Sequence, residues 1–510
     1  MTDKVWVPDQ GDGTYINPII HADYSDPDVI RVGNEFFMVA SSFTNMPGLP
    51  ILHSYDLVNW KIVNHVVERF PFDEYDRVQH GCGIWAPSIR YHDQKFWVFF
   101  GAPDEGIFMS VTDDPFGKWS PLVCVHKAKG FIDPCPFWDD DGQAYLVHAY
   151  AYSRCGIKHR LTLHRMKSDG TQLLDEGTIV FEDPVRHPTM EGPKMYKRNG
   201  YYYIFAPAGG VRTGWQTVLR SRNVFGPYED KVVLHQGSTE INGPHQGGLV
   251  ELPSGESWFI HFQDKDAYGR VVHLQPVQWV DDWPLMGINQ DEFGRGEPVL
   301  RYKKPNVGRE YPIEVPATTD YFDSERLGLQ WQWQANPNPK WSSLTGSSLK
   351  LYSYPIPSEN KILWHAPNLL MQKFPAPRFQ ATTRLTLSAN DSETYSGMTV
   401  MGRRYAYLCL SRHLDRYQLR LVLGDSDAER EEITEKIALD TNDVYLRVQV
   451  ELDAKCTFSY SIDGEKYSQV GSVFQATKGH WIGAKVGVFC VNSANDVKPD
   501  FGEFHWFVVE

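Results

Sequence analysis

TMEGPKMYKRNGYYYIFAPAGG, residues 189–210, places a lone carboxylate, Glu191, beside Gly192 and Pro193 at the entry of a tyrosine-rich strand. Aromatic residues favour a strand, whereas Gly and Pro fit only its first residues, a bulge or an edge. Asn199-Gly200, between two β-rich runs, marks a hairpin turn. The stretch therefore predicts a strand, a tight turn and a return strand, with an acid held where the first strand begins. Taken alone, that acid is as readily a turn residue as a functional one.

The same pattern recurs. NEFFMVASSF (34–43), QKFWVFFGAP (94–103), GQAYLVHAYA (142–151) and SWFIHFQDKD (257–266) are similar return strands, each preceded by a turn and a shorter strand. Five hairpins at intervals of roughly 50 to 60 residues fall in the range of propeller blade repeats. Helical periodicity is nearly absent, so the chain is predicted to be all-β, with a five-bladed β-propeller over 1–305. In a propeller the first strand of each blade lines the axis. The entry residues of those strands are Asp26, Trp85, Asp133, Glu191 and His245, each adjoining a Pro or Pro-containing turn. Expected at one phase of the repeat, they bring three carboxyls, an imidazole and an indole to one rim. That answers the question raised by Glu191.

Past about residue 320 short alternating strands recur, among them RFQATTRLTL, YQLRLVLG and VYLRVQVEL, which is β-sandwich spacing. A proline-punctuated segment, 306–319, is predicted as the linker and 320–510 as the sandwich domain.

The 510 residues carry a formal charge of −14 and no dense Lys/Arg run, which argues against a nucleic-acid partner. No apolar run is long enough to cross a bilayer, and the start MTDKVWVPDQGDG has no signal-peptide pattern. Seven scattered cysteines without a CxxC fit reduced thiols in a cytoplasmic protein. There is no GxGxxG or GxxxxGK[ST] in strand-turn-helix context and no GxSxG elbow. Paired carboxyls suit glycoside hydrolysis: one protonates the leaving oxygen, the other activates water or attacks. A third carboxyl fits tuning and positioning.

The stretches INPIIHADYSDPDVIRVGNEFFMVASSF, GIWAPSIRYHDQKFWVFF, FIDPCPFWDDDGQAYLV, EGPKMYKRNGYYYIF, GPHQGGLVE and GRVVHLQPVQWVDDWPLMG occur in order over the first ~300 residues. Together they resemble glycoside hydrolase family 43, the propeller β-xylosidases and α-L-arabinofuranosidases. YFDSERLGLQWQWQANPNPKWSS and APNLLMQKFPAPRFQATTRLTL resemble the concanavalin-like sandwich of its longer members. The resemblance implies Asp26 as general base, Asp133 as the residue that raises the acid's pKa, and Glu191 as general acid. It also implies Arg270 as the grip on the sugar, Trp85 as a pocket wall, and His245 as the axial histidine of a bound calcium or other cation. Phe43, Ile132 and Trp215 complete the expected sugar-contacting set, and no organic cofactor is implied. Asn45, Met46 and Ile132 stand where many family xylosidases carry aromatic residues, from which a wider pocket is expected.

The resulting expectation is an exo-acting, inverting hydrolase that releases xylose or arabinose from short oligosaccharides. Mainly arabinofuranosidase activity is the alternative, a retaining propeller fructosidase a further enzyme reading, and a non-catalytic sugar-binding propeller the alternative of another class. The partner is then an oligosaccharide, with no nucleic acid or membrane, and homo-oligomeric assembly is left open.

Overall fold

A computed structural model describes residues 5–510. Five four-stranded antiparallel sheets follow one another along the chain, with strands in sequential order within each. Their innermost strands are Asp28–Val32, Trp85–His92, Phe131–Trp138, Lys194–Arg198 and His245–Glu251, which begin blades I to V. Each first turn behaves as its residues dictate. Asn199 and Gly200 both take positive φ (50° and 74°), as a two-residue hairpin requires, and Tyr201 pairs with Arg198 across it.

The ring is closed by the N-terminal segment. Thr14–Ile16 pairs antiparallel with Arg301–Lys303, and Ile20 exchanges backbone hydrogen bonds with Val272 of blade V. The side chain of Asn17 donates to the carbonyls of Leu274 and Val299 and accepts from the Leu274 amide, completing the join.

Asp28 ties the blades at the axis. Its Oδ2 accepts from the Ile89 amide (2.9 Å) and from Arg90 Nη1 (2.7 Å), both in blade II. Arg90 Nη2 donates to Cys135 Sγ in blade III (2.9 Å), which also accepts from the Met195 amide of blade IV (3.3 Å). Lys194, fully buried, donates to the Pro87 carbonyl (2.7 Å) and Ser88 Oγ (2.8 Å), with Asp28 Oδ2 4.0 Å away. In blade V a Cβ on Gly248 would lie 2.7 Å from Asp28 Oδ1, so glycine is required for the strands to approach.

The C-terminal half is a two-sheet sandwich. A seven-stranded sheet is centred on Phe501–Val509 and Phe379–Ser388, and an eight-stranded sheet on Lys485–Asn492 and Thr394–Met401. Its aromatic face is not an open platform. Tyr395, Tyr405 and Tyr407 are buried with Ile356, Leu363 and Trp364 of an overlying segment. Glu431 accepts from both Tyr405 and Tyr407 hydroxyls and from the Leu363 amide, locking that cover in place. The sandwich packs on the propeller through paired backbone bonds between Met46 and Trp333 and through Asn336, which brackets the backbone of Phe70.

Asp28→Asn removes the only carboxylate among the described residues within ion-pair distance of Lys194 and weakens the hold on Arg90. Breaking one side of a buried charge pair costs about 3–5 kcal/mol, so the variant's denaturation midpoint is expected to fall steeply. A midpoint within error of wild type would show that Asp28 does not bind the blades.

Candidate active site

The blade entries are more specialised than a single repeated phase. Asp26, Ala86, Asp133, Gly192 and Gln246 have positive φ (55°, 20°, 55°, 59° and 43°). Each stands immediately before Pro27, Pro87, Pro134, Pro193 or Gly247, so these five are the equivalent positions. Trp85, Glu191 and His245 lie one residue earlier, which corrects the expectation that all three acids share one phase. A regular strand sends consecutive side chains to opposite faces. Bulges between Trp85 and Ser88, Ile132 and Cys135, and His245 and Gly247 relax that rule. Consecutive residues, Trp85 with Ala86 and Ile132 with Asp133, consequently line the same cavity.

That cavity, about 360 Å³, is lined by Asp26, Asp133, Glu191, Arg270, Phe43 and Trp85, among others. Asp26 is buried, and its Oδ2 accepts from Ser25 Oγ (2.7 Å) and Ser41 Oγ (2.6 Å). Arg270 Nη1 lies 3.0 Å from its Oδ1, and the guanidinium stacks over Phe262 at 4.9 Å. Such a set holds a carboxylate in one orientation with its charge matched.

Asp133 is treated differently. Its Oδ2 accepts only the Gly192 amide, at 2.8 Å. Burial, then the charges of Glu191 and Asp26, push it up to about 8, so the carboxyl cluster keeps a proton at neutral pH. The amide it accepts belongs to the peptide after Glu191, so Asp133 also fixes the backbone that carries the second acid. At Gly192, whose φ is +59°, a Cβ would lie 2.7 Å from Gln246 Cδ, so a side chain there would displace that of Gln246.

Glu191 is the most accessible of the three, its side chain 26 % exposed, and its Oε1 lies 3.0 Å from His245 Nε2. His245 is fully buried and does not line the cavity, so its first partner is the acid rather than the funnel. Its Nδ1 is buried without a partner. Among the described residues no group of three or more His, Cys, Asp or Glu side chains converges as metal ligands. Calcium takes six to eight oxygen ligands; were a cation held here, His245 Nδ1 is the unpaired protein atom that could face it.

Phe43, Trp85 and Ile132 line the cavity as expected. Trp215 does not. It packs beneath the wall, with Met190, Ala208 and Leu219, where the tight 209–214 loop needs support. Asn45 and Met46 are not walls either: Asn45 donates to the Ser42 carbonyl, and Met46 pairs with Trp333 in the interdomain seam. Of the three residues from which a wider pocket was expected, only Ile132 lines the cavity. Sequence reasoning missed Trp481, a lining residue contributed by the sandwich, whose ring lies 6.0 Å from that of Trp85. Its only local signal is a tryptophan in a glycine-flanked turn, GHWIG. Lys158 and Gln246 also line the cavity and were not anticipated.

Asp133→Asn tests the electrostatics. A carboxyl raised from 3.8 to about 8 on folding contributes stability below its unfolded pKa and loses it as pH rises through about 8. The asparagine, which can still accept from Gly192, is thus expected to melt higher than wild type, by a margin that widens from pH 5 to pH 9, while losing activity. A margin independent of pH would show that Asp133 is not held protonated.

Comparison with known proteins agrees with this geometry. A profile described as "Glycosyl hydrolases family 43" matches residues 15–284, and one described as "Beta xylosidase C-terminal Concanavalin A-like domain" matches 319–510. A "Putative beta-xylosidase" of Xylanibacter ruminicola is 42% identical over 485 residues, covering 94% of this chain and 86% of that protein. A "Beta-xylosidase" of Formosa agariphila is 31% identical, covering 98% of this chain and 91% of its own. Among solved structures, the GH43 BlXynB protein from Bacillus licheniformis superposes with a TM-score of 0.83 at 26% identity, covering 97% and 99% of the two chains. A five-bladed propeller with three carboxyls at one mouth, joined to this sandwich, makes the chain a member of glycoside hydrolase family 43.

Proposed function

We propose that this glycoside hydrolase is an inverting β-xylosidase acting on the non-reducing ends of short xylo-oligosaccharides. The observation that carries the reading is the unequal environment of three carboxyls in one cavity. Asp26, oriented by two serines and Arg270, is suited to accept a proton from water. Glu191, the accessible member of the pair with Asp133, is suited to protonate the leaving oxygen. His245 and the Gly192–Asp133 bond hold that acid from its side chain and its backbone. Exo action is supported by a contiguous aromatic wall, in which Trp85 lies 6.0 Å from the rings of both Phe43 and Trp481, suited to stop a chain end. A hydrated cation on His245, where present, would add positive charge behind Glu191.

The names of the two curated relatives support xylose over arabinose as the released sugar. A reducing, cytoplasmic setting is supported by seven free cysteines, four of them buried. No helix among the described residues is long and apolar enough to cross a membrane.

Glu191→Ala is expected to lower kcat/KM on xylobiose by about 10²- to 10⁴-fold, the range of general acid catalysis. On an aryl xyloside with a good leaving group the loss is expected to be much smaller. Equal losses on both would remove Glu191 from the acid role.

Time-resolved NMR should show α-xylose formed first from a β-xyloside, and kcat/KM should favour nitrophenyl β-xyloside over the α-arabinofuranoside. A first product with retained configuration, or an opposite preference, would reject the corresponding part of the assignment.

A further inference from the structure

Asp23 lies three residues before Asp26 and is 4 % exposed. Its two oxygens serve different domains. Oδ1 accepts from the Arg270 amide at 2.9 Å, and Oδ2 accepts from the Gly483 amide of the sandwich at 2.8 Å. Arg270 is the residue whose guanidinium holds Asp26, and Gly483 ends the turn that presents Trp481 to the cavity.

The joint is tight as well as polar. A Cβ on Gly269 would lie 2.4 Å from Asp23 Cγ, and one on Gly483 would lie 2.6 Å from the Gly269 amide nitrogen. Only glycine lets the N-terminal segment, the entry to the Arg270 strand and the sandwich turn meet this closely. The next rung is a backbone bond from Ala484 to the Ala267 carbonyl, 2.7 Å. Two buried lysines of the sandwich, Lys373 and Lys485, feel the Asp23 charge, which opposes the downward push of burial on each. Lys373 donates to Gln332 Oε1 (3.0 Å).

We propose that Asp23 is a positioning residue that sets Arg270 and the Trp481 turn in a single register, so that one carboxylate couples sandwich docking to sugar binding. The proposal rests on the glycosidase reading of the cavity. An ordinary interface hydrogen bond would stabilise the seam without controlling the site. Asp23 differs because each of its two acceptors ends on a backbone that carries a cavity residue. An asparagine keeps the shape but turns one acceptor into an NH₂ facing a buried N–H, and so must release one of the two partners.

The test compares wild type, Asp23→Asn, Trp481→Ala and the double variant on nitrophenyl β-xyloside across pH, with hydrogen exchange on each protein. Asp23→Ser, which keeps a single acceptor, substitutes if the asparagine variant does not fold. The expected result is a KM raised by about tenfold, a smaller change in kcat, and unmoved limbs of the pH profile, since misplaced binding groups cost affinity and alignment. The double variant should lose less than the product of the single losses, because both act on the same wall. Exchange should quicken at 479–485 and at Arg270. A lower melting temperature with unchanged KM and multiplicative losses would make Asp23 a structural contact only. Unchanged exchange in both segments would overturn the proposal outright. If the wild type hydrolyses no glycoside, the functional reading falls, and exchange alone still decides whether Asp23 holds the two segments.

Discussion

Three carboxyl groups meet at one mouth of a buried axis, and their mutual repulsion is the constraint around which the propeller is arranged. Like charges close together in a poorly screened interior cannot all ionise freely. The chain offsets them with donors and cations drawn from several blades. Arg270 of blade V lies on Asp26, His245 of blade V on Glu191, and Lys194 of blade IV draws Asp133 back toward its charged form. The compensation is uneven. Asp26 receives a guanidinium and two hydroxyls, whereas Asp133 receives one backbone amide and is left raised. Environments that push neighbouring carboxyls apart are what allow one to act as base and another to supply a proton.

The fold was legible because its repeat is local. The hairpin at Asn199-Gly200 and its four counterparts are written in turn residues and aromatic runs that each span some twenty residues. The outer strands were less legible. Lys61–Val67 and Thr178–Glu182 are short, half-buried and polar in part, so neither alternation nor turn chemistry announces them. That Asp26, Asp133, Glu191, Trp85 and Arg270 converge on one cavity was readable from entry positions and motif matches. Their relative phase was not, because positive φ and bulges decide it, and a residue such as Asp133 gives no sequence sign that it takes a conformation usually left to glycine.

Errors about the walls share one cause. Asn45 and Met46 sit close to Phe43 in sequence, yet Asn45 bonds back to Ser42 and Met46 turns into the seam with Trp333. Trp481 is far away in sequence and nonetheless lines the cavity. Both facts follow from the sandwich, whose docking surface takes residues away from the site and returns one of its own. The aromatic richness of that domain has the same explanation. Tyr395, Tyr405 and Tyr407 pack under the Ile356–Trp364 cover, the last two bonded to Glu431, and so form no exposed sugar platform.

What remains to discriminate between sugars is therefore narrower than the apolar walls suggest. Phe43, Ile132 and Trp481 offer surface, and a difference of one methylene or ring contact there is worth only about 1–3 kcal/mol. Polar groups that a wrong ligand leaves unpaired discriminate more strongly. Two residues that line this cavity carry a buried donor with no hydrogen-bond partner among the described residues, Trp85 at Nε1 and Gln246 at Nε2. Gln246 occupies the same left-handed position in blade V that Asp26 and Asp133 occupy in blades I and III. The repeat thus places a carboxyl at this position in two blades and, in a third, a neutral amide that meets no charge repulsion. Were a terminal sugar to pair with both the indole and the amide, the arrangement of its hydroxyls rather than its ring size would decide the fit.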